Sequence, residues 1–408
     1  MHDQQESAPS WNIDTLLVHG GQRRKTGNAA GTPTIQPIYA STTYHYADIA
    51  DLDKAFEGIT AAGEPAFVYA RQANPNASAL ETAIARAEGG VGAVALGSGM
   101  AAVHAALLAA GLVSGTKIVA SKDLYGPTIG LLQKVFAPVG VEIVLSDLCC
   151  INAPEFIRKE QPDVIYVETI SNPLVRVVDL DAISAAAREV GAITIVDSTF
   201  TTPYLLRPLE HGFDIVVHSA TKYISGHGDS TGGIAVSAKN VLLDQLRSYA
   251  ILLGAMLSPF ETHLMMRGLR TMALRMERHC SNALQVARFL EEHPAIHKVY
   301  YPGLSTHPQH ALATSLLGKQ YGGLLAFEMK QQSRTAAYRF MNKLQLCLPV
   351  TTLGDVFSEV SYPAVSSHRT LTNAERDKMG ITEGCIRFSV GIEHIDDIVQ
   401  DLDQALVV

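Results

Sequence analysis

The chain has 408 residues, 47% hydrophobic and 18% charged, enough to bury a sizeable core in two or three domains. Its 32 lysines and arginines are outnumbered by 40 aspartates and glutamates, for a formal net charge of -8. With no basic cluster, this excludes a nucleic-acid-binding surface and points to small molecules and other copies of the chain as partners.

The opening stretch "MHDQQESAPSWNIDTLLVHGG" has no basic segment followed by an apolar one, so no secretory signal is read there. Residues 92–113 are the longest weakly apolar run, but Gly97, Ser98, Gly99 and His104 interrupt it, whereas a membrane span needs about 20 continuously apolar residues. Five cysteines, an odd number without CxxC or zinc-like spacing, fit a reduced cytosol and no metal site. A cytoplasmic protein without membrane contact is expected.

Residues 1–65 contain "GTPTIQPIYASTTY", which has little periodicity and reads as an extended N-terminal arm. From Ala93 onward, seven short runs alternate with helix-length segments: "AVAL", "KIVAS", "EIVLS", "DVIYVET", "ITIVDST", "DIVVHSA" and "GGIAVSA". That alternation predicts βαβ units and a largely parallel sheet in a domain spanning 66–262. Beyond it, "RHCSNALQVARFLEEH" and "SRTAAYRFMNKLQ" read as amphipathic helices and "GGLLAFEM" and "CIRFSVGIE" as strands, a smaller α+β domain over 263–408.

Parallel sheets bind ligands at the carboxyl ends of their strands. The residues just after these runs are Ser98 and Gly99, Tyr125, Glu168, Asp197, and Ser219 to Lys222. "GSGMAA" (97–102) formally matches a nucleotide fingerprint, with Asp123 near the place of a ribose-binding acid, and a nicotinamide dehydrogenase is the rival it raises. The firmer inference is that a helix start at Gly99 and Met100 favours an anion such as phosphate. Asp197 ends an apolar strand, where a carboxylate needs a cation or a hydrogen-bond donor. In "SATKYISGHGDSTGG" Lys222 is the one cation between Arg207 and Lys239. A phosphate site, an acid facing a ring nitrogen, and an amine that condenses with an aldehyde together describe pyridoxal 5'-phosphate.

"HSATKYISGHGD" also resembles the pyridoxal-lysine signature of the cysteine/methionine-metabolism enzymes, which include cystathionine γ-synthase, the cystathionine lyases, methionine γ-lyase and the O-acylhomoserine sulfhydrylases. "YARQANPNASALE", "LYGPT", "ETISNP", "VDSTF", "LSPFETHLMMRGLRTMALRM" and "IRFSVGIEHIDD" resemble further family blocks in the family's order, so the resemblance spans nearly the whole chain. It implies the aspartate-aminotransferase-like fold (fold type I): a seven-stranded, mostly parallel sheet with helices on both faces. It also implies roles. Lys222 would carry the cofactor; Gly99, Met100, Ser219 and Thr221 would hold its phosphate; Tyr125 would stack on the ring. Asp197 would face the ring nitrogen, with Thr199, Glu168 and Asn172 around the ring. Arg387 would clamp the substrate carboxylate with Thr352 beside it, and Tyr69 and Arg71 would serve the phosphate of a neighbouring subunit in a dimer or tetramer. The implied chemistry is γ-elimination or γ-replacement on a γ-substituted L-amino acid, through a vinylglycine-type intermediate, in methionine and cysteine metabolism or transsulfuration.

The sequence departs from family subtypes at particular positions. Phe357 stands where cystathionine enzymes carry a glutamate, so an apolar distal pocket is expected. Pro127, Ala250 and Ile251 replace residues usual in methionine γ-lyase.

Overall fold

In the computed structural model, residues 11–21, 33–60, 65–366, 369, 372, 376 and 379–407 are described. All seven expected runs are strands: β1 (Gly92–Leu96), β2 (Lys117–Ser121), β3 (Glu142–Ser146), β4 (Val164–Glu168), β5 (Ile193–Asp197), β6 (Ile215–Ser219) and β7 (Gly233–Ser237). They form one sheet in the order β1-β7-β6-β5-β4-β2-β3. The pairs β2–β3, β2–β4, β4–β5 and β5–β6 are parallel. β7 runs antiparallel to both β6 and β1. Its reversal has a local cause: no helix lies between β6 and β7, so nothing carries the chain back across the sheet for a parallel return.

Side chains alternate between two buried faces, as strands covered on both sides require. Val119, Val167, Val196 and Val216 share a cluster with the helices Pro75–Glu88 and Leu180–Val190. Ile118, Tyr166, Ile195 and Val217 share another with the helices Gly99–Ala109 and Asn240–Leu253. Each such fully buried side chain contributes at most about 1.5–3 kcal/mol. Because β1 and β4–β6 all point the same way, their carboxyl ends lie along one edge, and Ser98, Glu168, Asp197 and Ser219 come together there.

A second sheet contains β8 (Ile296–Tyr300), β9 (Leu324–Met329), β10 (Leu348–Pro349), β11 (Glu359–Ser361) and β12 (Cys385–Ser389), in the order β10-β11-β12-β9-β8. The two expected strands became β9 and β12, and the two expected helices lie within Met272–Glu292 and Arg334–Lys343. One apolar cluster continues from Val216 through Tyr223, Met265 and Met276 to Phe327 and Phe388, so the two sheets share a core.

The first 65 residues are not wholly extended. Asn12 caps a helix over Ile13–His19 and Asp48 caps another over Ile49–Phe56, each side chain accepting a backbone N–H two residues on. Leu17 is buried in the main cluster, which anchors the first helix. Of the expected arm, residues 1–10, 22–32 and 61–64 lie outside the described residues. The helix Pro259–Leu269 runs through the expected domain boundary at 262, since Ser258 caps it and Pro259 opens it.

Candidate active site

The edge where strand ends meet holds a cavity of about 270 Å³, and both sheets contribute to its wall. From β1, the chain turns through Gly97 and Ser98 into the helix Gly99–Ala109; Ser98 caps it by accepting from Ala101 N–H at 3.1 Å. The N–H groups of this first turn are the natural anion donors. A Cβ on Gly99 would come within 2.8 Å of the Ser219 Cβ, so glycine lets this helix start and the end of β6 approach each other. Met100, Ser219 and Thr221 line the same wall. The Thr221 hydroxyl bonds to Gly232, accepting from its N–H at 3.0 Å and donating to its carbonyl at 3.2 Å.

Deeper in the cavity, Asp197 and Glu168 are register partners on β5 and β4. Burial pushes both carboxyls up, Glu168 well above the ordinary range and further in the field of Asp197. Thr199 N–H donates to Asp197 at 2.9 Å, and the Thr199 hydroxyl accepts from Ser219 N–H at 2.9 Å, tying β5 to β6. Glu168 accepts from Tyr125 N–H at 2.6 Å, which fixes the backbone of a tyrosine whose ring lines the cavity and is 43% exposed. A half-buried acid at a strand end and a flat ring open to the cavity suit a protonated aromatic nitrogen.

Lys222 follows β6 on a turn, and its Nζ donates to the Thr352 hydroxyl at 2.7 Å. Burial, then Arg387, push the amine down from its usual range, while Asp355 and Glu359 oppose them. Arg387 on β12 is 4% exposed. It donates to Asn172 Oδ1 at 3.3 Å and to the Thr352 carbonyl at 2.9 Å, while its Nε has no partner among the described residues. Burial draws its pKa down to about 10, and the buried Nε–H is a donor that a bound anion would satisfy.

The structure thus brings Gly99, Met100, Tyr125, Glu168, Asn172, Asp197, Thr199, Ser219, Thr221, Lys222 and Arg387 to one cavity, with Thr352 bonded to two of them. Three expected site residues lie elsewhere. Tyr69 is 37% exposed with the Arg71 guanidinium over its ring, and Arg71 donates to the Ile251 carbonyl at 2.8 Å. Phe357 is 50% exposed and does not line this cavity, so the wall here is not the apolar ring expected from the sequence; its backbone packs closely on Gly391. Asp123, the acid a dinucleotide site would need, is held by Arg176 at 2.6 Å.

Some contributors had no sequence signal. Ile170, Thr351 and Leu353 line the cavity. Buried Arg275 donates to the Tyr223 carbonyl and to the Gly268 carbonyl, both at 2.8 Å, and so braces the turn that presents Lys222. Gly226 (φ 70°) is left-handed there, and a Cβ on it would strike that guanidinium.

An anion-binding helix start, a buried acid and a desolvated lysine at the ends of a mostly parallel sheet define a pyridoxal-phosphate enzyme. A family model for Cys/Met metabolism PLP-dependent enzymes matches residues 14–407, and the chain belongs to that family. It is 38% identical over 399 residues to an L-methionine gamma-lyase of Fusobacterium nucleatum subsp. polymorphum, covering 97% of this chain and 98% of the relative. It is also 38% identical over 396 residues to a cystathionine beta-lyase of Lactococcus lactis subsp. cremoris, covering 97% and 99%. The crystal structure of cystathionine gamma synthase from Xanthomonas oryzae pv. oryzae, in complex with aminoacrylate and cysteine, superposes with a TM-score of 0.88 at 34% identity, covering 97% of this chain and 98% of that one. No helix among the described residues is long and apolar enough to cross a membrane.

Proposed function

We propose that the protein catalyses γ-elimination or γ-replacement on a γ-substituted L-amino acid of the methionine or homoserine-derivative type. The observation that carries this reading is the convergence on one cavity of the Asp197 carboxyl with the Lys222 amine and the Arg387 guanidinium, the last two both bonded to Thr352. It is supported by relatives that are named as methionine and cystathionine lyases and a structural neighbour named as a synthase.

Pyridoxal phosphate, when bound, supplies the electron sink that makes a proton at Cα, and then one at Cβ, removable. The chain's residues do the rest. Backbone N–H groups of Gly99 and Met100, with Ser219 and Thr221, hold the phosphate. Asp197 keeps a proton on the ring nitrogen, and Thr199 and Glu168 hold Asp197 and Tyr125 in place. Arg387 receives the substrate carboxylate, with Asn172 and Thr352 orienting its two Nη atoms. The Lys222 amine, depressed by burial and by Arg387, is the base that moves the Cα proton. The Tyr125 phenol donates a proton to the departing γ-group.

Tyr69 and Arg71 reach the phosphate site of a second subunit in this reading, which makes a dimer the working unit and a tetramer of two dimers the assembly, in the cytoplasm. The corresponding units are the arm to residue 65, the cofactor domain from 66 and the C-terminal domain, with the helix Pro259–Leu269 bridging the expected division of the last two at 262.

The test is a screen of amino acids differing in the γ-substituent, with and without thiol or sulfide, following 2-oxobutyrate and any new amino acid. Release of the γ-group with either product is expected. A product that keeps its γ-substituent would refute the reaction class.

A further inference from the structure

Two acids that do not line the cavity meet next to the cations that do. Asp355 and Glu359 are 4% and 3% exposed, the first on the segment that leads into β11 and the second at the first residue of that strand. The Glu359 carboxyl touches that of Asp355 and accepts from the Asp355 backbone N–H. Asp355 accepts from Gly228 N–H. Gly228 (φ 68°) leaves just enough room, since a Cβ there would lie 2.9 Å from Asp355 Oδ2. Asp355 Oδ1 and Glu359 Oε2 are otherwise buried without a donor among the described residues.

The charged and titratable groups facing this pair are Lys222, Tyr223, His227, Arg275 and Arg387. Glu359 leads the anions acting on Arg387, and Asp355 and Glu359 are the two that act on Lys222. Two carboxyls in contact and out of water cannot both ionise cheaply, and a single proton between them satisfies both facing oxygens. One negative charge then remains to offset the buried cations, whose mutual repulsion is itself unfavourable.

We propose that Asp355 and Glu359 share one proton and are positioning residues for Lys222 and Arg387, their single charge holding the proton affinity of the lysine nitrogen and the guanidinium of the carboxylate clamp. The proton rests on Glu359 and is donated to the Asp355 carboxylate. The direction of the shifts agrees: burial and the neighbouring acid push Glu359 up to about 8, and the hydrogen bond from Glu359 works against the rise at Asp355. This rests on Lys222 as the cofactor-bearing amine, which borohydride trapping tests separately.

The experiment is a pH titration of the visible absorbance of the lysine-bound cofactor in the holoenzyme, a signal that a merely structural role would leave in place. Removing both acids, in Asp355→Asn with Glu359→Gln, should lower the midpoint by about one pH unit, since a lost anion disfavours the protonated nitrogen. Either substitution alone leaves one carboxylate and should keep the midpoint closer to wild type. A double variant that titrates like wild type, or single variants that shift as far as the double, would overturn the proposal. If the double variant fails to hold the cofactor, infrared spectra decide. Wild type at pH 6.5 should show a protonated-carboxyl band that Glu359→Gln removes, and identical spectra of the two proteins would overturn the shared proton.

Discussion

Replacing Arg387 with lysine keeps the positive charge and removes the fork. In the structure the two Nη atoms already reach Asn172 Oδ1 at 3.3 Å and the Thr352 carbonyl at 2.9 Å, so the guanidinium plane is set before any carboxylate arrives. A single ammonium cannot make both contacts and also meet two substrate oxygens. At least one charge-assisted hydrogen bond to the substrate is lost, worth about 1.5–3 kcal/mol. At about 1.4 kcal/mol per tenfold, kcat/KM should fall by roughly 10- to 150-fold. Most of the loss should appear as a raised KM, because the carboxylate is held equally in the ground state and the transition state. The assay is steady-state release of 2-oxo acid, with the visible absorbance of the cofactor and circular dichroism as checks that the site is loaded and folded. An Arg387→Lys enzyme within twofold of wild type in both KM and kcat/KM would show that the carboxylate binds elsewhere.

The acids facing the ring carry a pH dependence. In the apoprotein Asp197 and Glu168 have carboxyls raised by burial, so the folded state holds their protons more tightly than the unfolded state does. Their contribution favours folding at low pH and is lost as pH rises from the ordinary carboxylate range through the folded values. At neutral pH the Asp197→Asn apoprotein should therefore melt about 1 °C above wild-type apoprotein for each 1 kcal/mol relieved in a chain of this length, and in the presence of pyridoxal phosphate the order should reverse; calorimetry with and without the cofactor checks both. An Asn variant that melts lower in both forms would contradict the reasoning. The exposed Tyr69 and Arg71 predict complementation: mixing Arg71→Ala subunits with Lys222→Ala subunits should restore part of the activity through hybrid dimers. No recovery, once subunit exchange is shown by mass spectrometry, would mean that each site is complete within one chain.

The fold was largely legible because each strand of the first sheet is a compact run of apolar residues ending at a turn. The direction of β7 was not, since "GGIAVSA" carries no mark of orientation; it depends on the helix-free link after Lys222. In the second sheet β9 and β12 are buried throughout and read as strands, whereas β8 has the exposed His297 and Lys298 side by side and so neither an apolar run nor an alternation, and β10 has only two residues. The same division holds at the site. Ser98, Asp197, Ser219 and Lys222 were readable as strand-end residues. Thr351 and Leu353 reach it, and Asp355, Glu359 and Arg275 come up behind its cations and the Lys222 turn, only because the two sheets share a core, and a separation of 130 residues between Lys222 and Thr352 leaves no local trace. Phe357 shows the converse: its position in a motif pointed to the pocket, while the packing of its backbone on Gly391 leaves the ring half exposed.

The central claim is that Lys222 carries the cofactor, and borohydride reduction of the loaded protein followed by peptide mapping tests it most directly. Reduction makes the lysine–cofactor bond permanent, so the mass of the reduced cofactor should appear on the peptide containing "SATKYISGHGD", and Lys222→Ala should give no labelled peptide. The label on any other lysine, or its persistence in Lys222→Ala, would contradict the account.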